Sequence, residues 1–382
     1  MARARTTAKN NSYLAHPVVD LLTAGGGLSI LLLPVLFFLS GPERPPGMIQ
    51  TAVLASFIVN YPHFAATLYR LYHNAENRSA YPWTAYLAPF IFGILFAAAL
   101  KFPESLGSYY CKIFLIWSGY HYSGQTLGIS LIYAKRSNFP VGIVERGIWT
   151  AAIYSSYLLP IIRAETRSSL QPFFGIPIPA FQLPAFFTVW AWGFLAVSWA
   201  AFLTYLLLSP RYHRGRWAPP GVWLPPLAQF CWFIPGSYSP FFYEFVPLFH
   251  GLQYLLIVWV FRLKEQTKTY DRTKAQLAGA ALWFDNLKYG ILLVAIGALL
   301  FRWIPDGLVW GFGIAPNIAE PLWIATVQLH HFWTDGRIWR LRNPQVGEKL
   351  LTRPCARMSR PGGESAFPAK LAPKLSIPPI AA

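Results

Sequence analysis

The sequence predicts an all-α fold: a polytopic membrane bundle of about ten transmembrane helices with both termini cytoplasmic. Three observations carry that reading. The chain is 54% hydrophobic and 17% aromatic but only 12% charged, about half the ~25% usual in a soluble domain. The charge is one-sided, with 32 Lys+Arg against 15 Asp+Glu. In a soluble domain that excess would point to nucleic acid. Here the bases sit between long apolar runs, so they read as membrane-flanking loops and no nucleic-acid partner is expected. The third observation is how those bases divide between the two ends of the apolar runs.

The elements follow in order. Residues 1–17 form a basic tail, and no small-residue cleavage site follows the first apolar run, so a removed signal peptide is not expected. A helix crosses the hydrocarbon with about 20 apolar residues. Runs near 18–40, 48–70, 83–101, 108–133, 142–162, 184–208, 220–236, 240–261, 289–304 and 318–340 qualify within a domain spanning 18–342. In the first, Asp20 and the Gly25–Gly26–Gly27 run read as a cap and helix-packing feature. The seventh, "VWLPPLAQFCWFIPG", is short and proline-rich, as in a broken or re-entrant helix covered by protein. Residues 265–288 mix charge with a small apolar face and are expected along the cytoplasmic surface. Residues 343–382, rich in Pro, Ala and Lys, read as a disordered cytoplasmic tail.

With the N-tail inside, twenty-six of the 32 bases fall on the cytoplasmic side. Only Arg44, Lys101, Arg163, Arg167 and Arg302 fall opposite, and Lys112 lies within a span. That asymmetry is the positive-inside pattern expected of a bacterial inner-membrane protein. Cys111, Cys231 and Cys355 are far apart and make neither a disulfide framework nor a zinc knuckle.

Histidines carry the functional signal. His16 and His213 lie in polar flanks, and His73 lies at or past the membrane surface. His63, His121, His250, His330 and His331 lie on the second, fourth, eighth and tenth spans, which all run from outside to inside. By the helical rise, each lies on the order of 10–20 Å before its cytoplasmic anchor. One such histidine can simply lock helix packing; four helices at one depth point to a shared site. Polar residues one turn away, Asn60, Gln125, Gln253 and Gln328, are expected to orient the rings, as partners of metal-bound histidines do. In "QLHHFWTDGRIWRLR", Asp335 can orient His331 or bind metal itself, and His330 is rotated about 100° from His331. Asp335 could equally pair with Arg337 and Arg340 at the helix end. Glu244, before Pro247 in "PFFYEFVPLFH", is a second candidate catalytic carboxylate.

Imidazoles with carboxylates and no cysteine pair favour iron, zinc, copper or nickel over magnesium or calcium. The expected chemistry is iron-dependent oxidation of a lipid-like or isoprenoid substrate, with an electron donor from the cytoplasm. Aromatic, proline-interrupted helices over 220–261 are expected to wall an apolar substrate channel. A bis-histidine haem or a zinc ion fits the same residues. The arrangement resembles the histidine-rich integral membrane iron oxygenases and desaturases. On Pro62–His63 in "YPHF" and on His331 and Asp335 before "GRIWR", it is most similar to bacterial membrane β-carotene dioxygenases. The paired histidine boxes of fatty-acid desaturases are absent, which argues against their di-iron chemistry. "LFHGLQYLLIVW" is similar to the His-Gly element of membrane-bound O-acyltransferases, which would make His250 a general base. A proton-coupled transporter using His121, His250, His331 and Glu244 is a further alternative.

Overall fold

A computed structural model describes residues 12–39, 47–213, 215–269 and 275–351. Helix dominates, and among these residues pairing outside helices is limited to one isolated bridge, Phe173 with Ile176. The chain opens with α1 (Pro17–Leu22) and α2 (Gly27–Leu39). α3 (Met48–Ala55) runs through a π-helical stretch, Ser56–Asn60, into α4 (Tyr61–Tyr72), and the short α5 (Ala75–Ala80) follows. Next come α6 (Ala88–Lys101), α7 (Ser108–Arg136), α8 (Ile143–Glu165) and α9 (Phe186–Tyr212). α10 (Pro220–Phe233), α11 (Pro240–Glu244) and α12 (Val246–Thr269) form the proline-interrupted region. α13 (Ala275–Ala298), α14 (Ile304–Phe312), α15 (Pro316–Ile338) and α16 (Pro344–Leu351) complete the fold.

Four helical stretches are long and apolar enough to cross a membrane: Trp83–Lys101, Phe186–Arg211, Phe242–Gln266 and Trp283–Phe312. Three of them keep most of their surface outward, but 67% of the stretch carrying His250 is buried. The inner wall of the bundle is therefore built by the more polar helices. α15 packs on α4, α6 and α7, and α12 packs on α4 and on Ser56–Asn60. The four histidine helices run the same way, as expected. Tyr110 of α7 donates to Thr326 of α15 (3.1 Å), and Thr67 of α4 to Asp335 (2.8 Å). Further along, Trp339 donates to Tyr254 of α12 (2.9 Å).

Three expectations are corrected, and a fourth holds. The first apolar run is two helices, split at Thr23–Gly26. Gly26 takes φ +73°, and a Cβ there would lie 2.4 Å from that of Ala228. The glycine run is thus a left-handed turn pressed against α10, and the turn's Ala24 carbonyl accepts from Gln253 (3.2 Å). Asp20 does more than cap a helix. Its carboxylate accepts the Leu14, Ala15 and His16 N–H groups and the Tyr133 hydroxyl, tying the N-terminal segment to α7.

Second, 265–288 is not a separate segment: it comprises the end of α12 and the start of α13, with 270–274 outside the described residues. Third, the tail begins with ordered helix α16, where Val346 and Leu350 share a face by their i, i+4 spacing and are fully buried. Arg136 clamps it, donating to the Leu350 carbonyl (3.2 Å) and to the carbonyls of Ser12 and Tyr13. Residues 352–382 lie outside the described residues. Fourth, α10 is short, about 21 Å by its rise, and packs between α2, α7 and α8.

Candidate metal centre

The site is built from four imidazoles in a closed square. Ring centroids are 5.1 Å apart for His63 and His250, 5.0 Å for His250 and His121, 5.0 Å for His121 and His331, and 4.5 Å for His331 and His63. Each pair meets nearly edge-on, at 69° to 89°. One ring nitrogen from each lies within 4.8 Å of all the others. Two nitrogens on opposite sides of one ion, at about 2.1 Å each, would be about 4.2 Å apart, so small side-chain adjustments close the set on one centre. Stacked aromatics wall it: Tyr122 on His250 at 4.0 Å, Phe332 on His121 at 4.6 Å, and Phe64 beside His331 at 4.6 Å.

Hydrogen bonding explains the need for a central partner. His63 Nδ1 donates to the Asn60 carbonyl (3.2 Å), which leaves its Nε2 as a lone pair facing inward. His331 Nε2 lies 2.9 Å from that lone pair and 3.3 Å from Asp335 Oδ2. Other ring nitrogens have no partner: His121 Nε2, His331 Nδ1 and both nitrogens of His250 are buried and unbonded. Buried imidazole nitrogens without partners cost about 1–3 kcal/mol each, and a bound cation would relieve that cost for one nitrogen of each ring.

Asp335 is held from behind. Thr67 donates to its Oδ1 at 2.8 Å, with Tyr254 Oη 3.1 Å away. Tyr254 also meets Thr67 at 2.5 Å and accepts from Trp339 Nε1 at 2.9 Å. Two hydroxyl protons serve three oxygen–oxygen contacts. The shortest distances give Trp339 to Tyr254 to Thr67 to Asp335 Oδ1, leaving Oδ2 for His331. Neither Tyr254 nor Trp339 was placed at the site from sequence, though each lies four residues after a site residue, His250 or Asp335.

No family model, curated protein or solved structure matches this chain. The reading of the site therefore rests on its own geometry.

Of the residues expected at the site, His63, His121, His250 and His331 come together with Asp335 beside them. His330 does not join them. It turns toward Thr84 and the edge of Phe92 (6.1 Å), because its neighbour on the helix already faces the square. Glu244 also stays apart: it closes α11, is exposed, and precedes a break before Val246, with Pro247 in the first turn of α12. The expected amide partners act otherwise. Asn60 uses its backbone carbonyl, and its side-chain oxygen is unbonded. Gln125 donates to the His250 carbonyl (3.1 Å) and to Gln253 (3.3 Å), so these amides join helices instead of orienting rings. Gln328 is half-buried and has no hydrogen bond to a site histidine.

Proposed function

We propose that this is a multi-pass membrane metalloprotein in which His63, His121, His250 and His331 hold one iron ion, and that it oxidises a lipid-like or isoprenoid substrate. The observation that carries the proposal is the buried square of imidazoles in which His121, His250 and His331 each keep a ring nitrogen with no hydrogen-bond partner and His63 Nε2 meets only His331. The all-imidazole donor set with a nearby carboxylate and no thiolate suits iron, copper, zinc or nickel. Iron is chosen because an apolar substrate offers no polar group to hydrolyse and is altered by oxidation. When bound, the ion would supply that redox chemistry.

The chain's own residues do the rest. Three of the histidines are essentially closed to the outside and His121 is only half-buried, so a substrate has one side to approach from. Phe64, Phe332 and Tyr122 keep water from the rings. Asp335 fixes His331 and can hold its proton. About ten membrane spans with both termini cytoplasmic accompany this reading, and an electron donor would dock on that basic face. The acyltransferase alternative asks His250 to act alone as a base, yet it is fully buried and stacked under Tyr122.

The test is metal analysis of the detergent-purified protein after anaerobic loading with ferrous iron, with about one ion per chain expected. Retention of the same metal content when each of the four histidines is changed to alanine would refute the centre. Asp335→Asn keeps the size of the side chain but loses its charge, so it should weaken iron affinity about 10–100-fold, as loss of a ligand-orienting group does. Competition with a chelator measures it, and an unchanged affinity would remove Asp335 from the site.

A further inference from the structure

Among the described residues, the histidine square meets a groove of about 310 Å³ through His121, lined mainly by α7, α12 and α15. Along α7 it is lined from Trp117 past His121, Gly124 and Gly128 to Ile132, about 22 Å by the helical rise. Asp335, Gly336 and Arg340 line the facing strip of α15 and the turn after it, and from the proline-rich region only Tyr254 and Ile257 contribute. Of 220–261, which the sequence suggested as the wall, only α12 lines the groove. It is long relative to its volume and largely apolar, and its polar groups gather at two places. One is beside His121, where Gln125, Tyr254 and Asp335 line the groove; the other is the exposed end at Arg340.

Two glycines keep the groove open. A Cβ on Gly128 or on Gly336 would meet no atom within 4 Å, so neither position needs glycine for packing. In a helix, glycine costs roughly 1 kcal/mol relative to alanine. Its presence on the groove floor leaves room for something other than protein. Arg340 commits only its Nε, to the Gly336 carbonyl (3.0 Å), so the rest of its guanidinium faces the exposed end.

We infer that the groove binds a single extended apolar chain carrying an anionic head, with the head on Arg340 and the chain lying over Gly336 and Gly128 past His121. This rests on the metal-centre reading for its functional meaning but not for the binding itself. His331 lies on the order of 10–15 Å from Arg340 along the helix, so the square meets the chain in its middle, away from the head.

The experiment uses full-length protein in detergent and cis-parinaric acid, a fluorescent polyene carboxylate, with iron content measured on the same samples. One probe molecule per chain should bind, displaced by palmitate but not by octanoate, which is too short to run from Arg340 past His121. Gly128→Leu should weaken probe binding at least about tenfold by filling the floor. Gly336→Leu, on the other wall, should do the same, which guards against one variant failing to fold. Arg340→Gln should weaken palmitate about fivefold and leave 1-hexadecanol unchanged. Equal binding by wild type and both leucine variants would show micelle uptake only and overturn the groove. Undiminished palmitate binding by Arg340→Gln would overturn the anionic head. Iron bound without the probe sinks this inference alone, and the probe bound without iron sinks the metal centre alone.

Discussion

Replacing His250 with leucine is expected to abolish metal binding while leaving the metal-free protein at least as stable as wild type. His250 is fully buried, and neither ring nitrogen has a partner. In the metal-free protein its imidazole therefore bears the desolvation of two polar atoms with no return, at about 1–3 kcal/mol each. Leucine is of similar bulk and carries no polar atom, so the swap should be neutral or stabilising. His63 provides the contrast. Its Nδ1 donates to the Asn60 carbonyl and its Nε2 meets His331, so His63→Leu strands partners and should destabilise the metal-free form by about 1–3 kcal/mol. Both variants should lose the ion. Thermal unfolding of chelator-treated protein, alongside metal analysis, reads both effects. A packing histidine would behave oppositely: His250→Leu would lower the unfolding temperature and leave metal content as it was.

That contrast also marks what the sequence could disclose. The four ligand candidates were legible because apolar helices are costly places for imidazoles and because charge at the helix ends predicted a common direction and depth. Each remaining site feature depends on which neighbour a helix face meets. His330 and His331 are adjacent and chemically equivalent in sequence; only the packing of α15 against α4 and α7 on one side and α6 on the other separates them. Gln125 and Gln253 have the spacing of ring-orienting partners but are spent on backbone carbonyls of facing elements. Asn60 was singled out for its amide, yet it acts through its carbonyl at the end of the π-helical stretch. Helix α16 was hidden by composition. A proline- and alanine-rich tail averages to disorder, although Val346, Gly347 and Leu350 supply a buried face.

Lys112 was the one base left within a span, and the variant Lys112→Met is expected to carry the largest stability cost of a single substitution outside the site. Its Nζ lies 2.7 Å from Glu165 Oε2, with both side chains nearly closed to the outside, at 3% and 7% exposure. The partner is 53 residues away at the end of α8, which no local pattern reveals. The same carboxylate oxygen accepts the Phe181 N–H (2.8 Å), while Nζ also donates to the Pro179 carbonyl and lies 3.4 Å over the Phe181 ring. The pair thus pins the stretch before α9 onto α7 and α8. Removing one partner leaves an uncompensated buried charge, costing about 3–5 kcal/mol. Removing both, as Lys112→Met with Glu165→Gln, should recover about half of that, because the remaining loss is of hydrogen bonds and not of a charge partner. Lys112 sits near the start of α7, at the opposite end of the bundle from Arg340, so iron content should not move. Thermal unfolding of the single and double variants in one detergent closes the cycle. If each single variant cost under about 1 kcal/mol, the pair would be behaving as a solvated surface contact, and the anchoring of 179–183 would have to come from the apolar packing of Ile176 and Ile178 against α7 and α15.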